Sequence, residues 1–171
     1  ASLRGLDVEV FLGDILNIYS LEKAFEGVDY VVHLAGIISI DGDKDGVVTK
    51  INQNGSANVA DICLKNKVKR LIHMSSIHVY DFLDYRRPIS ETSNFSSRDW
   101  HGDYAYSKVL AEKEIRKRIE KGLKAIILNP TGIIGPNDFE PSRMGTFFLD
   151  IFYKRYPTII DGGFHYVDAR D

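Results

Sequence analysis

A parallel α/β sheet with crossover helices is the fold class that this sequence predicts, on three observations. Short apolar runs alternate with longer amphipathic stretches along the chain. Strands that alternate with helices call for parallel pairing and crossover connections. Neither an internal repeat nor a low-complexity linker breaks the alternation. The 171 residues, 44% hydrophobic and 27% charged, are one domain's worth and can bury a sizeable core.

The elements follow in order. Val8–Phe11 reads as a strand, Leu21–Phe25 as a short helix, and Asp29–Ala35 (DYVVHLA) as a buried strand. Gly46–Lys67 is a long helical stretch, with apolar points at Val48, Ile51, Val59, Ile62 and Leu64. Lys69–Met74 (KRLIHM) is the next strand. The polar stretch Asp81–Trp100 reads as a long loop, Tyr104–Lys121 as a helix, Leu123–Asn129 as a strand and Ser142–Tyr153 as a helix. Thr158–Asp161 adds one more short strand. In such sheets ligands sit beyond the carboxyl ends of the strands. Those ends read Gly13-Asp14, Ala35-Gly36, Ser75-Ser76 and Pro130-Thr131-Gly132.

Composition excludes several classes. Lys plus Arg is 22 and Asp plus Glu is 24, a net charge of -2. Such a balance gives no electrostatic reason to seek nucleic acid or an anionic membrane. The basic runs Lys65–Arg70 and Lys113–Lys121 read as solvated helix faces. Cys63 is the only cysteine, so a disulfide within the chain and a cysteine-rich zinc site are excluded; it reads as a buried small apolar residue. His33, His73, His78, His101 and His165 lack ligand spacing, so no metal is expected. No apolar run approaches the ~20 residues of a membrane span. Ala1-Ser2-Leu3-Arg4 does not read as a signal peptide. Asn54-Gly55-Ser56 and Asn94-Phe95-Ser96 are then chance sequons, and the expected location is cytoplasmic.

The most informative stretch is Tyr104-Ala105-Tyr106-Ser107-Lys108. Tyr104 and Lys108 are four apart and share a helix face, continued by Ala111, Ile115 and Ile119. An ammonium on a packed face needs a purpose or a partner. A phenol has a pKa of about 10, and a nearby ammonium lowers it. The tyrosine could then exchange a proton with a carbonyl or alcohol oxygen. Asp103 sits at the expected N-cap. An ordinary amphipathic helix can also carry Tyr and Lys one turn apart, so the pair gains weight from its company. Ser75-Ser76 ends a strand, where a hydroxyl could bond the same oxygen. Gly55, inside a predicted helix near Asn52, costs ~1 kcal/mol against Ala; it suggests close approach of another group, or is simply tolerated in a long helix.

Together these motifs resemble the extended short-chain dehydrogenases/reductases of the NAD-dependent epimerase/dehydratase superfamily. Gly13-Asp14-Ile15 resembles the adenine contact, and His33-Leu34-Ala35-Gly36 the strand end beside the cofactor. The stretch from Asn52 to Asn58 resembles the N-x-x-G-T-x-N helix. Val68 to Ser76 resembles the strand with the catalytic serine. Tyr104 and Lys108 fit YxxxK, and Asn129 to Pro136 resembles R-P-x-x-[VI]-[YI]-G-P.

The resemblance implies a Rossmann-like doubly wound parallel sheet, NAD or NADP as cofactor, and a role for each position. Tyr104 would be the general acid/base. Lys108 would bind the nicotinamide ribose and tune the tyrosine. Ser76, four before Tyr80, is preferred to Ser75 for orienting the substrate oxygen. Asp14 and Ile15 would bracket the adenine. Leu34, Ala35, Gly36, Asn52 and Ser75 would line the cofactor channel, and Pro130, Thr131 and Ile133 the nicotinamide end. His78 is a secondary candidate to reach substrate; an exposed loop histidine is the plainer reading. Trp100 and His101 read as part of a lid or as loop packing.

The glycine-rich dinucleotide fingerprint is missing. Gly132-Ile133-Ile134-Gly135 follows a strand, but Pro136 comes next and the pair is a decoy. Too few residues precede Leu6–Val10 for a β-α-β unit of about 30 residues or more. Tyr166–Asp171 resembles the [YW]-V-D-V-R-D segment at which the family's substrate region continues. The expectation is the middle of a longer protein, truncated at both ends. Residues 1–140 would be a partial dinucleotide-binding domain, and 141–171 the start of the substrate-binding region. The strands 29–35, 69–74 and 123–129 should pair in parallel in that order, with 8–11 displaced, poorly paired, or completed by something outside these residues.

Asp81 and Asp103 stand where sugar-nucleotide members usually have Gly and Pro. Pro141-Ser142-Arg143-Met144-Gly145 and Asp161-Gly162-Gly163-Phe164 look more like the dihydroflavonol-reductase and 3β-hydroxysteroid-dehydrogenase branch. The function implied is an NAD(P)-dependent oxidoreductase acting on a small carbonyl or alcohol, with room for a homodimer. The alternatives are a nucleotide-sugar epimerase or dehydratase, and a non-catalytic dinucleotide-binding regulator.

Overall fold

The computed structural model describes every residue except Ala1, Ser2, Arg4, Ile40, Tyr85, Glu140, Pro157, Ile159 and Ile160. The chain forms two compact units: Phe11–Asn129, and Ala1–Val10 with Pro130–Asp171.

In the larger unit, α1 (Ile18–Leu21) runs into a 3-10 turn, Glu22–Phe25, where one short helix is predicted. β1 (Tyr30–His33) follows. A helical stretch then passes through α2 (Val47–Thr49), a π-helical turn (Lys50–Gly55) and α3 (Ser56–Lys65). β2 (Arg70–Met74), α4 (Arg98–Glu120) and β3 (Ala125–Leu128) come next. The three strands form a parallel sheet in the order β1-β2-β3, as predicted.

Alternation decides which face is core. Val31 and His33 share a face with Leu71, His73, Ala125 and Ile127, by register. On it Leu71 packs with Val59, Ala60, Cys63 and Ile115, each worth up to ~1.5–3 kcal/mol for the larger aliphatic groups. The opposite face carries Tyr30, Val32, Ile126 and Leu128, all exposed. Asp29–Ala35 is therefore buried on one face only, which corrects the reading of a fully buried strand.

Val8–Phe11 belongs to no strand, which corrects its assignment but agrees with its expected lack of pairing. A strand exists only through its ladder, and among the described residues β1 pairs with β2 alone. Val8 and Val10 are exposed.

α4 begins earlier than predicted, at Arg98, and breaks at Gly102, whose φ of 80° is left-handed. The loop before it is anchored: Ser96 Oγ donates to the carbonyls of His78 and Tyr80. Asp103 departs from its expected capping role. Its carboxylate accepts the Asp43 amide at 2.7 Å and the Arg98 guanidinium at 2.6 Å. Ile119, at the end of the predicted stripe, is exposed. Nor is Lys113–Lys121 wholly a solvated face. Arg118 is largely covered, between Asp61 and Glu114.

The smaller unit holds β4 (Gly132–Ile134), α5 (Arg143–Phe152) and β5 (Tyr166–Asp168). β4 and β5 pair in parallel, a ladder the sequence reading missed. It explains the spaced glycines. A Cβ on Gly132 would stand 2.8 Å from the Tyr166 ring, and one on Gly135 2.6 Å from Ala169 Cβ. Ser142 caps α5, accepting the Gly145 amide at 3.0 Å. Of the predicted strand Thr158–Asp161, Ile159 and Ile160 lie outside the described residues, and Thr158 and Asp161 are in no strand.

Candidate active site

The carboxyl ends of β1 and β2 and the first turns of α4 after Gly102 bring most of the singled-out residues together. Ser76, just past β2, has extended backbone. Its hydroxyl accepts the His78 amide at 3.2 Å and lies 3.1 Å from His78 Nδ1. The Ser76 hydroxyl is close enough to the Tyr104 phenol to favour the phenolate. Burial acts the other way and is larger, so the Tyr104 pKa is raised. The lowering expected from Lys108 is thus not what the structure has. The Lys108 ammonium donates instead to the Met74 carbonyl, at 3.0 Å. Burial lowers the Lys108 pKa, with the Glu112 charge opposing.

Ser75 is buried and turned inward. Its hydroxyl donates to Glu112 Oε2 at 3.1 Å. That leaves Ser76 as the serine on the tyrosine's side. The His78 ring stands edge-on to Tyr104, 6.0 Å between centroids, and to Phe82. Burial of part of the ring lowers its pKa. Trp100 and His101 sit in the first turn of α4. His101 Nε2 lies 3.1 Å from Asp81 and its imidazole is covered, while Trp100 is 76% exposed.

At the end of β1, Leu34, Ala35 and Gly36 are exposed. A Cβ on Gly36 would stand 3.0 Å from Asn52 Oδ1. Asn52, 2% exposed in the π-helical turn, accepts the Ile37 amide at 2.8 Å. It donates to the Ile37 carbonyl and to Ser107 Oγ, each at 2.9 Å. It therefore shapes this rim from behind. Gly55 answers its own question: a Cβ there would lie 2.5 Å from Ile15 Cδ1. Asn58 Nδ2 donates to the Ile15 carbonyl, so this helix holds the Asp14-Ile15 turn in place. The Asp14 carboxylate accepts the Leu16 amide. Pro130 and Thr131 are partly buried in the smaller unit, and Ile133 is exposed on β4.

Sequence reasoning missed three groups. Glu112 is fully buried under Ser75. Asn129 Nδ2 donates to both Glu112 and the Ser76 carbonyl. His33 and His73 lie side by side in register near the strand ends, with tilted rings 5.3 Å apart. The signal for Glu112 was present, since it stands four past Lys108 on the Tyr104 face. Burial pushes His33 down to about 4 and His73 to about 3, so both are neutral at pH 7.

The arrangement can deliver a proton at one point beside an open rim. A hydroxyl and a phenol converge, and an ammonium stands one turn behind. Among the described residues, no helix is long and apolar enough to cross a membrane.

Residues 1–156 match the NAD dependent epimerase/dehydratase family. The sterol demethylase protein B of Methylococcus capsulatus is 31% identical over all of this chain and 52% of its own length. The 2-alkyl-3-oxoalkanoate reductase of Shewanella oneidensis is 32% identical over 80% of this chain and 36% of its own. The chain thus spans about half, or less, of the length of these relatives. Among solved structures, an NAD-bound dTDP-glucose 4,6-dehydratase of Streptomyces venezuelae superposes with a TM-score of 0.80. It is 23% identical, over 99% of this chain and 54% of that one. That likeness shows the fold, a Rossmann-type α/β sheet.

Proposed function

The chain belongs to the NAD dependent epimerase/dehydratase family, and on that premise we propose that it carries the proton-transfer site of an NAD(P)-dependent oxidoreductase. The reaction would move a hydride between the nicotinamide and a small carbonyl or alcohol substrate. Residues 1–140 would be part of the dinucleotide-binding domain, and 141–171 the start of the substrate-binding region. The observation that carries this reading is the meeting of Ser76 and Tyr104 at the end of β2, with Lys108 one helical turn behind and bonded to the Met74 carbonyl.

The rim suits a dinucleotide. Gly36 leaves no side chain between the chain and Asn52, and Leu34 offers open apolar surface. We assign Leu34, Ala35, Gly36, Tyr104 and Lys108 to its nicotinamide side, with Asn52 and Ser75 supporting that side from behind; Pro130, Thr131 and Ile133, in the smaller unit, keep the nicotinamide-end role that the resemblance implies. Asp14 and Ile15 go to its adenine side. The bound dinucleotide supplies the hydride acceptor or donor. In the reducing direction, Tyr104 gives its phenolic proton to the substrate oxygen that Ser76 holds. Lys108 offsets the negative charge left on the phenolate. The raised Tyr104 pKa keeps the proton on the phenol at neutral pH, the form a reductase needs. The 32% identity with a reductase supports the same direction.

The test is Tyr104→Phe in the natural-length protein. Turnover of reduced nicotinamide with a 3-oxoalkanoate probe should fall by about 10²–10⁴-fold, with fold and cofactor affinity retained. Near-normal turnover would remove Tyr104 from the mechanism. Product formed without net nicotinamide turnover would replace the reductase by an epimerase or dehydratase.

A further inference from the structure

A carboxylate taken out of water is costly unless donors replace the water. Glu112 is 0% exposed, and donors converge on it from three elements. Ser75 Oγ and Asn129 Nδ2 reach Oε2 at 3.1 and 3.0 Å. Arg116 Nε and Nη2 reach Oε1 at 3.0 and 2.6 Å. Asn129 Nδ2 also donates to the Ser76 carbonyl, at 3.2 Å. One side chain thus ties α4, which carries Tyr104 and Lys108, to the ends of β2 and β3.

We propose that Glu112 is a positioning residue: its buried carboxylate sets the Ser76 backbone against Tyr104 and supplies the counter-charge that keeps Lys108 an ammonium. The proposal rests on the reading of Ser76, Tyr104 and Lys108 given above. Stability alone does not call for it, because apolar residues of similar volume often replace a buried ion pair at no loss. The surroundings of Lys108 make the charge matter. Tyr104 and Glu112 face it along α4, and His33 from β1 and His73 from β2 feel its charge. Both histidines are neutral and the Met74 carbonyl is uncharged, so Glu112 is the anion that opposes the effect of burial.

The experiment follows Lys108 directly, in the natural-length protein without substrate. Selective isotope labelling of lysine lets NMR read each ammonium's titration, and Lys108→Met assigns the signal. In Glu112→Gln the Lys108 midpoint should move to lower pH. Glu112→Gln/Arg116→Gln should show the same shift, and it keeps the test alive if the single variant leaves Arg116 unpaired and fails to fold. Asp61→Asn breaks an ion pair between α3 and Arg118, further along α4, and should leave the midpoint where it was. An unmoved midpoint in a folded Glu112 variant, or an equal shift in Asp61→Asn, would overturn the proposal. With NADH or NADPH and the 3-oxoalkanoate probe, kcat should fall by roughly 10–100-fold, the scale of a misplaced catalytic group, with KM little changed. Unchanged kcat there would also overturn it. Tyr104→Phe, measured alongside, separates the two ideas: its activity tests the proton donor, while the Lys108 titration tests Glu112.

Discussion

Two neighbouring strands of one sheet end in different ways. Past β2 the polar groups are bonded inward: Ser75 to Glu112, the Ser76 carbonyl to Asn129, the Met74 carbonyl to Lys108. Past β1 the chain is bare. Leu34, Ala35 and Gly36 are exposed, and the first firm tether is Asn52 on Ile37. On the function proposed above, the difference separates two tasks. Proton transfer needs a fixed geometry, so the β2 end is over-determined by buried hydrogen bonds. A rim that must receive a large flat ligand needs open backbone, and the β1 end leaves it open.

The sharpest way to break this contrast is to cut the one tether at the open end. Asn52→Leu keeps the side chain's approximate volume but removes three hydrogen bonds. It leaves the Ile37 main chain and Ser107 short of partners. Each buried polar group left unsatisfied costs about 1–3 kcal/mol. Water can replace Asn52 at the exposed Ile37, so the penalty falls mainly on buried Ser107; the variant should lose roughly 1–3 kcal/mol in denaturant unfolding, and the Ile37 amide should exchange faster. Stability equal to the parent would mean that the rim is held by something other than Asn52.

The second prediction concerns the histidines near both strand ends. Their folded pKa values, about 4 and about 3, lie below the ordinary value near 6.5. Between those limits the unfolded chain binds protons that the folded chain refuses. Stability is therefore full above about pH 6.5 and falls as pH drops towards 4. The loss by pH 4 should reach about 3 kcal/mol for each histidine, roughly 6 kcal/mol for the pair, at ~1.4 kcal/mol per unit of pKa. His73 has no hydrogen-bond partner on either ring nitrogen. His73→Leu should thus be tolerated at pH 7 and should flatten the acid side of the profile. An equally steep fall in that variant would point to other groups.

The three-stranded order and the meeting of Ser76 with Tyr104 were legible because they follow from local rules. Period-two runs make strands, spacing of four makes a helix face, and strand ends make sites. The β4–β5 ladder was not legible, since each strand has three residues and its partner lies far along the chain. The direction of the Tyr104 pKa was hidden for another reason. Spacing puts Lys108 one turn from Tyr104, but only the structure shows that Lys108 turns to the Met74 carbonyl and that burial outweighs the Ser76 hydroxyl. Glu112 was overlooked because the stripe was followed through Ala111, the apolar residue, where a helix face admits both. Gly55 stood between: the sequence said that something came close, and the structure identifies Ile15.

That contact gives the smallest effect and the finest test of how the open side is built. Gly55→Ala has two opposed consequences. Inside a helical stretch Ala is favoured over Gly by about 1 kcal/mol. Against that, the new Cβ would lie 2.5 Å from Ile15 Cδ1 and 2.9 Å from Cγ1, and overpacking typically costs ~1–3 kcal/mol. Ile15 ends in flexible side-chain atoms, so part of the clash can relax. The net result should be a loss of about 1 kcal/mol, read as a lower unfolding midpoint. Trimming the neighbour should reverse the sign. Ile15→Ala alone loses apolar burial, yet in Ile15→Ala/Gly55→Ala the second substitution meets no clash and keeps its helical gain. The pair should therefore couple favourably, because residues in direct contact do not add. If the two losses simply add, Ile15 is not what requires the glycine, and the Asp14-Ile15 turn is not held by packing against this helix.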